Sequence, residues 1–280
     1  MVKQLFIQGA GVMGSGIAQV SAQAGYEVTL MDVSDERVQK GMNSLEKILQ
    51  RGIEKGRITA EDKSAILSRI HPTTDVKEAK KADLVIEAVF EELEVKKKVF
   101  RELDGICPPH TILASNTSAI PIIHMASATK RPDKVLGIHF MHPVPVMKGI
   151  EIIRALTTSD ETVAAGREYI QKIGKEAVDA VDYAGFIVSR LLDALVNEAV
   201  KCVMDGNKPE DVDKAMKLCA NFPMGPLELI DLSGADIVLH GLETLKKDFG
   251  ERFNPTPLLQ QMVRAGHLGR KTGKGFYAYK

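Results

Sequence analysis

The chain has 280 residues, of which 44% are hydrophobic and 26% charged, a composition typical of a folded protein with one large domain or two ordinary ones. Lys plus Arg and Asp plus Glu both total 37, so no net field draws the chain to nucleic acid or to a membrane surface, and we expect neither partner. No apolar run reaches the roughly 18 residues that a membrane-spanning helix needs.

The first predicted elements are a strand, a glycine-rich turn, a helix and a second strand. "KQLFIQ" predicts the first strand, "GSGIAQVSAQAG" predicts a helix closed by its last glycine, and "EVTLMD" predicts the second strand. Together they form a βαβ unit of about 30 residues.

The turn between the first strand and the helix reads "GAGVMG". Gly9, Gly11 and Gly14 have the spacing of the dinucleotide fingerprint, which gives a tight turn, close approach of the backbone to a pyrophosphate and close packing of helix on strand. We therefore predict a cofactor site formed by these glycines with Val12 and Met13, where the helix N-terminus presents free amides to the phosphates.

The second strand ends in an acidic residue, Asp32, which predicts NAD rather than NADP. Its carboxylate accepts hydrogen bonds from a ribose 2′-hydroxyl and would repel a 2′-phosphate. Val33 and Ser34, which follow it, supply no compensating arginine.

Further along, helical patterns at 34–55 and 60–69 are followed by apolar runs without alternation: "ADLVIEAVF", "TILAS", "KVLGIHFM" and "GIEIIRAL". Such runs, separated by helices, predict a mainly parallel sheet covered on both faces, hence an α/β Rossmann-type fold. After about residue 183 the patterns are helical, and the terminal "GFYAY" alone is strand-like. We predict an NAD-binding Rossmann domain at 1–183 and an all-helical domain at 184–280.

The stretch "HFMHPVPVMKGIE" admits three interpretations: a metal site, a surface turn or an acid–base pair. A metal site needs at least three ligands at workable spacing, and none joins His139 and His142, so we predict no metal. A turn with incidental histidines is the plain alternative. The position favours the pair, because "VLGIHF" is a late strand and ligands bind where such strands end. His139 would act as the base, with Glu151 in the neighbouring strand orienting its imidazole.

Seven motifs in order resemble one family: "GAGVMGSGIA", "EAVFEELEVKKKVF", "ASNTSAI", "HFMHPVPVMKGIEII", "GFIVSRLL", "MGPLELID" and "GRKTGKGFYAY". The chain is identified as similar to the L-3-hydroxyacyl-CoA dehydrogenases, most like the short bacterial 3-hydroxybutyryl-CoA type, essentially from end to end. The resemblance implies an all-α C-terminal dimerisation domain like that of 6-phosphogluconate dehydrogenase, and a homodimer. It also implies interconversion of an (S)-3-hydroxyacyl-CoA and the 3-oxoacyl-CoA.

The resemblance also implies roles for particular residues. It makes His139 the catalytic base with Glu151 as its partner, and it makes Ser118 the serine that holds substrate and cofactor. The implied NAD contacts are Asp32, Glu91, Lys96, Asn116, Ser118, His142 and Lys271.

A basic stripe on the helix that begins near residue 34 is a candidate CoA contact. The stripe consists of Lys40, Ser44, Lys47 and Arg51, and it lies apart from an apolar stripe of Val38, Met42, Leu45 and Ile48. A solvated basic face is the usual fate of such a stripe. The resemblance places Lys47, and more weakly Lys40, near the CoA.

Two asparagines of the family pattern are replaced, and a third position carries an acidic side chain. His142 and Ser189 stand where the family usually has asparagine, and Asp193, one helical turn past Ser189, stands where an aliphatic residue is common. Neutral drift is one explanation, and a pocket for a different 3-hydroxyacyl group or weakened catalysis is the other. Ser189 is a candidate substrate contact in either case.

Two rival functions are considered. A dehydrogenase of a free 3-hydroxy acid would need carboxylate contacts in place of the basic stripe, and a non-catalytic NAD-binding relative would not need the retained Ser118, His139 and Glu151. The three cysteines form no CxxC pair, and no signal-peptide pattern stands at the N-terminus, so we expect a cytoplasmic location.

Overall fold

The structure is a computed structural model that describes residues 2–279. The chain divides into two compact units, Met1–Asp182 and Tyr183–Lys280. None of the helices in the described part of the chain is long and apolar enough to cross a bilayer.

The first unit is built on one sheet, which has eight strands among residues 2–279, in the order β3-β2-β1-β4-β5-β6-β7-β8. Every neighbouring pair is parallel except β6 and β7, so β7 and β8 run opposite to the other strands. The strands are β1 (Gln4–Gln8), β2 (Glu27–Met31), β3 (Ile70–Thr73), β4 (Leu84–Glu87), β5 (Ile112–Ser115), β6 (Val135–Phe140), β7 (Gly149–Arg154) and β8 (Glu176–Val181).

The helices of this unit are α1 (Val12–Gln23), α2 (Asp35–Glu54), α3 (Ala60–Ser68), α4 (Leu93–Ile106), α5 (Ile123–Ala126) and α6 (Asp160–Lys172), with short 3₁₀ turns at Val76–Lys81 and Pro132–Lys134. Both faces of the central strands are buried. Phe6 is 1% exposed and Ile7 is 0% exposed, although successive strand residues point to opposite faces. The predicted mainly parallel Rossmann sheet, covered on both faces, is confirmed.

Helix α2 follows the prediction closely at its start and differs along its apolar face. The Ser34 hydroxyl caps it by accepting a hydrogen bond from the Arg37 N–H. Val38, Leu45 and Leu49 are buried, whereas Ile48, assigned to the apolar stripe, is 42% exposed. The prediction of Ile48 is wrong because Leu49, not Ile48, lies at the helical spacing that continues the line of Val38 and Leu45.

The second unit is helical, as predicted. Its helices are α7 (Val188–Met204), α8 (Pro209–Cys219), α9 (Pro226–Ser233), α10 (Ala235–Phe249) and α11 (Pro257–Arg264), with 3₁₀ turns at Gly250–Phe253 and Arg270–Thr272. They enclose a separate apolar core that includes Val196, Leu227, Ile230, Leu242, Leu245 and Leu259.

The terminal "GFYAY" is not a strand, contrary to the prediction. Asp231 of α9 holds this segment: its carboxylate accepts hydrogen bonds from the backbone N–H groups of Phe276 (3.0 Å) and Tyr277 (2.9 Å) and from the Tyr279 hydroxyl (3.0 Å). A Cβ added to Gly275 would lie 1.9 Å from Asp231 Oδ1, so the chain passes close to the carboxylate only because a glycine stands there.

Candidate active site

The glycine turn between β1 and α1 has the close contacts that the fingerprint requires. Gly9 has φ +111°, and its N–H donates to the Met31 carbonyl (2.8 Å). A Cβ added to Gly9 would lie 2.4 Å from the Ala88 carbonyl oxygen, and one added to Gly14 would lie 1.7 Å from the Gly9 carbonyl oxygen. Both positions therefore require glycine for the backbone itself.

Gly11 differs from these two, because a Cβ built on it meets no atom within 4 Å. It is the N-cap of α1, no side chain caps this helix end, and the first turn holds no acidic residue. The open space beside Gly11 therefore leaves room for a pyrophosphate at this uncapped helix end. Val12, which is 69% exposed, and Met13, which is partly buried, form the first turn of the helix. These residues fit a dinucleotide.

Asp32 is fixed beside this turn by two backbone hydrogen bonds. Its Oδ2 accepts from the Ala10 N–H and its Oδ1 from the Val33 N–H, both at 2.8 Å. The structure also brings Nη1 of Arg37 to 3.8 Å from Asp32 Oδ1 and lays that guanidinium over the Phe90 ring, 5.6 Å from its centroid. Neither of the two residues after Asp32 is a cation, and Arg37, which the sequence pattern did not reveal, reaches the carboxylate from the first turn of α2.

The antiparallel pair β6–β7 brings His139 and Glu151 together. The two residues are direct partners across the ladder, and Nδ1 of His139 lies 2.7 Å from Oε2 of Glu151. Their side chains are 5% and 2% exposed. An ionised carboxylate only accepts, so Nδ1–H is the donor and Nε2 is the basic nitrogen of the ring. A buried imidazole in a fixed tautomer can accept a proton and be stabilised as the cation.

The loop after β5 carries Asn116 and Ser118 to the same edge of the sheet. Asn116 is buried, and its Oδ1 accepts from the Phe140 N–H (2.9 Å), which ties this loop to the end of β6 beside His139. Glu91 accepts from the Ser118 N–H at 2.8 Å. The Ser118 side chain is exposed, so its hydroxyl is available to a ligand.

Glu91 belongs to a buried ion-pair network with Lys96. Lys96 is 1% exposed, and its Nζ lies 2.7 Å from Glu87 and 3.1 Å from Glu91. Burial alone would raise the pKa of Glu91, but Lys96 and the hydrogen bonds from Thr117 and Ser118 outweigh it and hold that pKa below its usual value. Burial alone would lower the pKa of Lys96, which the two carboxylates instead raise. Lys96, predicted as a cofactor contact, here supports the loop that carries Ser118.

A further support of this loop was not foreseen from the sequence. The Asp182 carboxylate accepts from the backbone N–H groups of Ile122 (2.6 Å) and Ile123 (2.9 Å), shortly after Ser118. Burial raises the pKa of Asp182, and the hydrogen bonds partly oppose this. No sequence signal pointed to Asp182, because the capping of a distant segment leaves no local pattern.

The basic stripe of α2 is exposed along its whole length, at Lys40, Ser44, Lys47 and Arg51. Within residues 2–279, no carboxylate forms an ion pair with its three cations. This differs from Lys63, whose Nζ lies 3.5 Å from Glu46. Unpaired exposed cations at one helical face can meet an anionic ligand.

The positions that depart from the family pattern lie in both units. In the first unit, partial desolvation of the His142 imidazole lowers its pKa below the usual value. In the second unit Ser189 lies in the first turn of α7, and Asp193 lies one turn later, where desolvation raises the pKa of its carboxyl to about 7. Lys271, predicted as a cofactor contact, pairs with Asp236 of α10 at 2.7 Å. No group of three His, Cys, Asp or Glu side chains suited to a metal ion occurs in the described part of the chain.

The Rossmann sheet, the glycine turn and the fixed Asp32 define a dinucleotide-dependent oxidoreductase. Comparison with known proteins then gives the family. The family model described as "3-hydroxyacyl-CoA dehydrogenase, NAD binding domain" matches residues 4–183, and the model of the C-terminal domain of the same family matches residues 185–279. The chain belongs to the 3-hydroxyacyl-CoA dehydrogenase family and is an NAD-dependent oxidoreductase.

Individual relatives are similar over their whole length. The probable 3-hydroxybutyryl-CoA dehydrogenase of Bacillus subtilis is 47% identical, with 100% of this chain and 98% of the relative covered. The crystal structure of FadB2 from M. tuberculosis has a TM-score of 0.98 at 41% identity, covering 100% and 99%. That of (S)-3-hydroxybutyryl-CoA dehydrogenase PaaH1 from Ralstonia eutropha has a TM-score of 0.94 at 42% identity, covering all of both chains.

Proposed function

We propose that the protein interconverts (S)-3-hydroxyacyl-CoA and 3-oxoacyl-CoA with NAD, with short-chain 3-hydroxybutyryl-CoA as the favoured substrate. The observation that carries this proposal is the contact of 2.7 Å between His139 Nδ1 and Glu151 Oε2, at the sheet edge where the glycine turn also lies. The names of the relatives from Bacillus subtilis and Ralstonia eutropha support the substrate class.

In the oxidation direction, His139 acts as the general base. Its Nε2 accepts the proton of the 3-hydroxyl group while Glu151 stabilises the imidazolium that forms. NAD, when bound, supplies the hydride acceptor. Ser118 donates a hydrogen bond to the reacting oxygen from its exposed hydroxyl. In reduction, the imidazolium of His139 returns the proton to that oxygen.

The basic stripe of α2 gives the CoA part of the substrate a place to bind. CoA carries a 3′-phosphate and a pyrophosphate, and Lys40 and Lys47 are exposed cations without an ion-pair partner among the described residues. A substrate shortened to the pantetheine thioester lacks those phosphates. Lys47→Ala is therefore expected to raise KM about fivefold for acetoacetyl-CoA and to leave KM for acetoacetyl-pantetheine unchanged. Lys98→Ala, which removes an exposed lysine of α4, is the matched control.

The remaining assignments concern the organisation of the whole protein. Residues 1–183 form the NAD-binding domain, residues 184–280 form the substrate and dimerisation domain, and the protein is a cytoplasmic homodimer. Exposed apolar side chains of the second unit support an interface there, since Leu191 is 65% exposed, Leu218 is 74% exposed and Ile237 is 60% exposed. Light scattering after size exclusion measures the oligomeric state directly.

The deciding experiment follows NADH consumption with acetoacetyl-CoA, free acetoacetate and the His139→Ala variant. Turnover with the thioester alone, lost in the variant, is the expected result. Turnover with free acetoacetate would favour the free-acid alternative. Measurable NADH binding without turnover of either substrate would favour a non-catalytic relative, with His142 and Ser189 as the first positions to restore to asparagine.

A further inference from the structure

The structure places a cation directly beside the carboxylate that selects the cofactor. Both oxygens of Asp32 are held by backbone N–H groups, and Arg37 Nη1 lies 3.8 Å from Oδ1. The Asp32 side chain is 13% exposed and that of Arg37 is 52% exposed. A ligand approaching this carboxylate therefore meets the guanidinium as well.

The Arg37 guanidinium also lies over the Phe90 ring. Arg37 comes from the start of α2, just after β2, and Phe90 from the segment after β4, and β1 with its glycine turn lies between these strands in the sheet. The cation–π contact of 5.6 Å joins the two sides of this edge. The Phe90 ring is 70% exposed. The guanidinium therefore lies beside the Asp32 carboxylate, at the adenosine end of the dinucleotide site.

We propose that Arg37 is a specificity-determining residue that lets this site accept a 2′-phosphate, so that the protein uses NADP(H) in addition to NAD(H). Asp32 alone would repel the phosphate, whereas a guanidinium offers it a planar set of N–H donors and compensates its charge. The inference rests on the dinucleotide site and is independent of the acyl substrate.

Two neighbouring charges limit the effect. Asp35 and Glu36 are exposed in the same first turn of α2 and oppose an incoming anion. The Asp32 carboxylate can still accept a hydrogen bond from the free ribose 2′-hydroxyl of NAD(H). NAD(H) is therefore expected to bind more tightly than NADP(H), and Arg37 is expected to reduce the difference between the two affinities.

The test measures binding of two fragments that differ only in the 2′-phosphate, adenosine 5′-monophosphate and adenosine 2′,5′-bisphosphate, by titration calorimetry. We expect the wild-type protein to bind both fragments. Arg37→Ala should weaken binding of the bisphosphate about fivefold or more and that of the monophosphate less than about twofold. Arg37→Lys, which keeps the positive charge without the planar set of guanidinium donors, should bind the bisphosphate with an affinity between those of wild type and Arg37→Ala. Arg101→Ala, which removes an exposed arginine of α4, is the control.

Kinetics provide the second readout. The ratio of kcat/KM for NADH to kcat/KM for NADPH should increase in Arg37→Ala. An equal loss for both fragments would assign Arg37 to the adenine instead and overturn the proposal. Bisphosphate binding that is undetectable in the wild-type protein, or unchanged in Arg37→Ala, would overturn it as well. Circular dichroism of each variant confirms that the fold is intact.

Discussion

Glu151 lies directly opposite His139 in the one antiparallel pair within the described sheet, and its Oε2 is 2.7 Å from Nδ1 of the imidazole. The pairing follows from topology: β7 starts at the edge where β6 ends, so the second residue from the end of β6 meets the third residue of β7. Because the pair is buried, the carboxylate acts on the imidazole with little screening by water.

Glu151→Gln tests this relationship with the least change of shape. The amide keeps an acceptor oxygen but loses the negative charge, so the imidazolium is no longer stabilised. We expect kcat to fall about 100-fold, within the range of general acid–base effects, with less than about a twofold change in the Kd of NADH. Steady-state kinetics and NADH fluorescence measure the two quantities. Glu176→Gln on β8, an exposed glutamate, is the control, and full activity in Glu151→Gln would exclude Glu151 from proton transfer.

Lys96→Met is expected to be strongly destabilising. The substitution leaves Glu87, which is 0% exposed, and Glu91 without their shared cation, a loss that typically costs about 3–5 kcal/mol of unfolding free energy. The pKa of Glu91 is held low in the wild type, so its contribution is present above the unfolded-state pKa and is lost as the pH falls through the lower folded-state value. Urea midpoints at several pH values test both points.

The cost of Lys96→Met should therefore be largest near neutral pH and shrink in acid. Lys98→Met, two residues along α4 and exposed, provides the control. Equal midpoints for Lys96→Met and wild type at pH 7 would contradict the structural role of this buried network.

The sequence predicted the features that depend on local pattern. The glycine spacing, the strand ending at Asp32 and the apolar runs gave the parallel sheet, because each arises from residues close in the chain. Side chains that act on distant segments left no such pattern. Asp182 caps a segment about sixty residues earlier in the chain. Arg37 is close to Asp32 in the chain, but their contact depends on how α2 turns back after β2, which the residue pattern does not show.

Where local pattern misled, a tertiary contact explains the difference. "GFYAY" has strand-like composition, but the N–H groups of Phe276 and Tyr277 bond to the Asp231 carboxylate instead of a neighbouring strand. The family resemblance implied NAD contacts at Lys96 and Lys271, and these contacts stay predictions; the structure adds that both lysines pair with carboxylates of their own units. Ion pairing of this kind cannot be read from one sequence.

Asp182→Ala tests the anchor of the segment that follows Ser118. The variant leaves the N–H groups of Ile122 and Ile123 without their acceptor, which we expect to lower the unfolding free energy by about 2 kcal/mol. Displacement of the loop should also lower kcat about tenfold at temperatures far below unfolding, since small shifts of a positioned group are costly. Asp133→Ala, at an exposed position, is the control. Loss of stability with unchanged kcat would restrict Asp182 to a purely structural role.

Asp193→Asn should stabilise the protein in a pH-dependent way. Desolvation raises the pKa of the Asp193 carboxyl to about 7, so the folded state holds its proton more tightly than the unfolded state does. Ionisation therefore opposes folding: the penalty is absent below the unfolded-state pKa, near 3.8, and grows as the pH rises to about 7. Asparagine imitates the neutral form at every pH.

The urea midpoint of Asp193→Asn should equal that of wild type at pH 4 and exceed it at pH 8. The corresponding gain in the free energy of unfolding at pH 8 is up to about 3 kcal/mol. Asp248→Asn, which removes an exposed carboxylate of the same unit, should show no such divergence. Parallel midpoints for Asp193→Asn and wild type from pH 4 to 8 would mean that the carboxylate is well solvated or paired in solution.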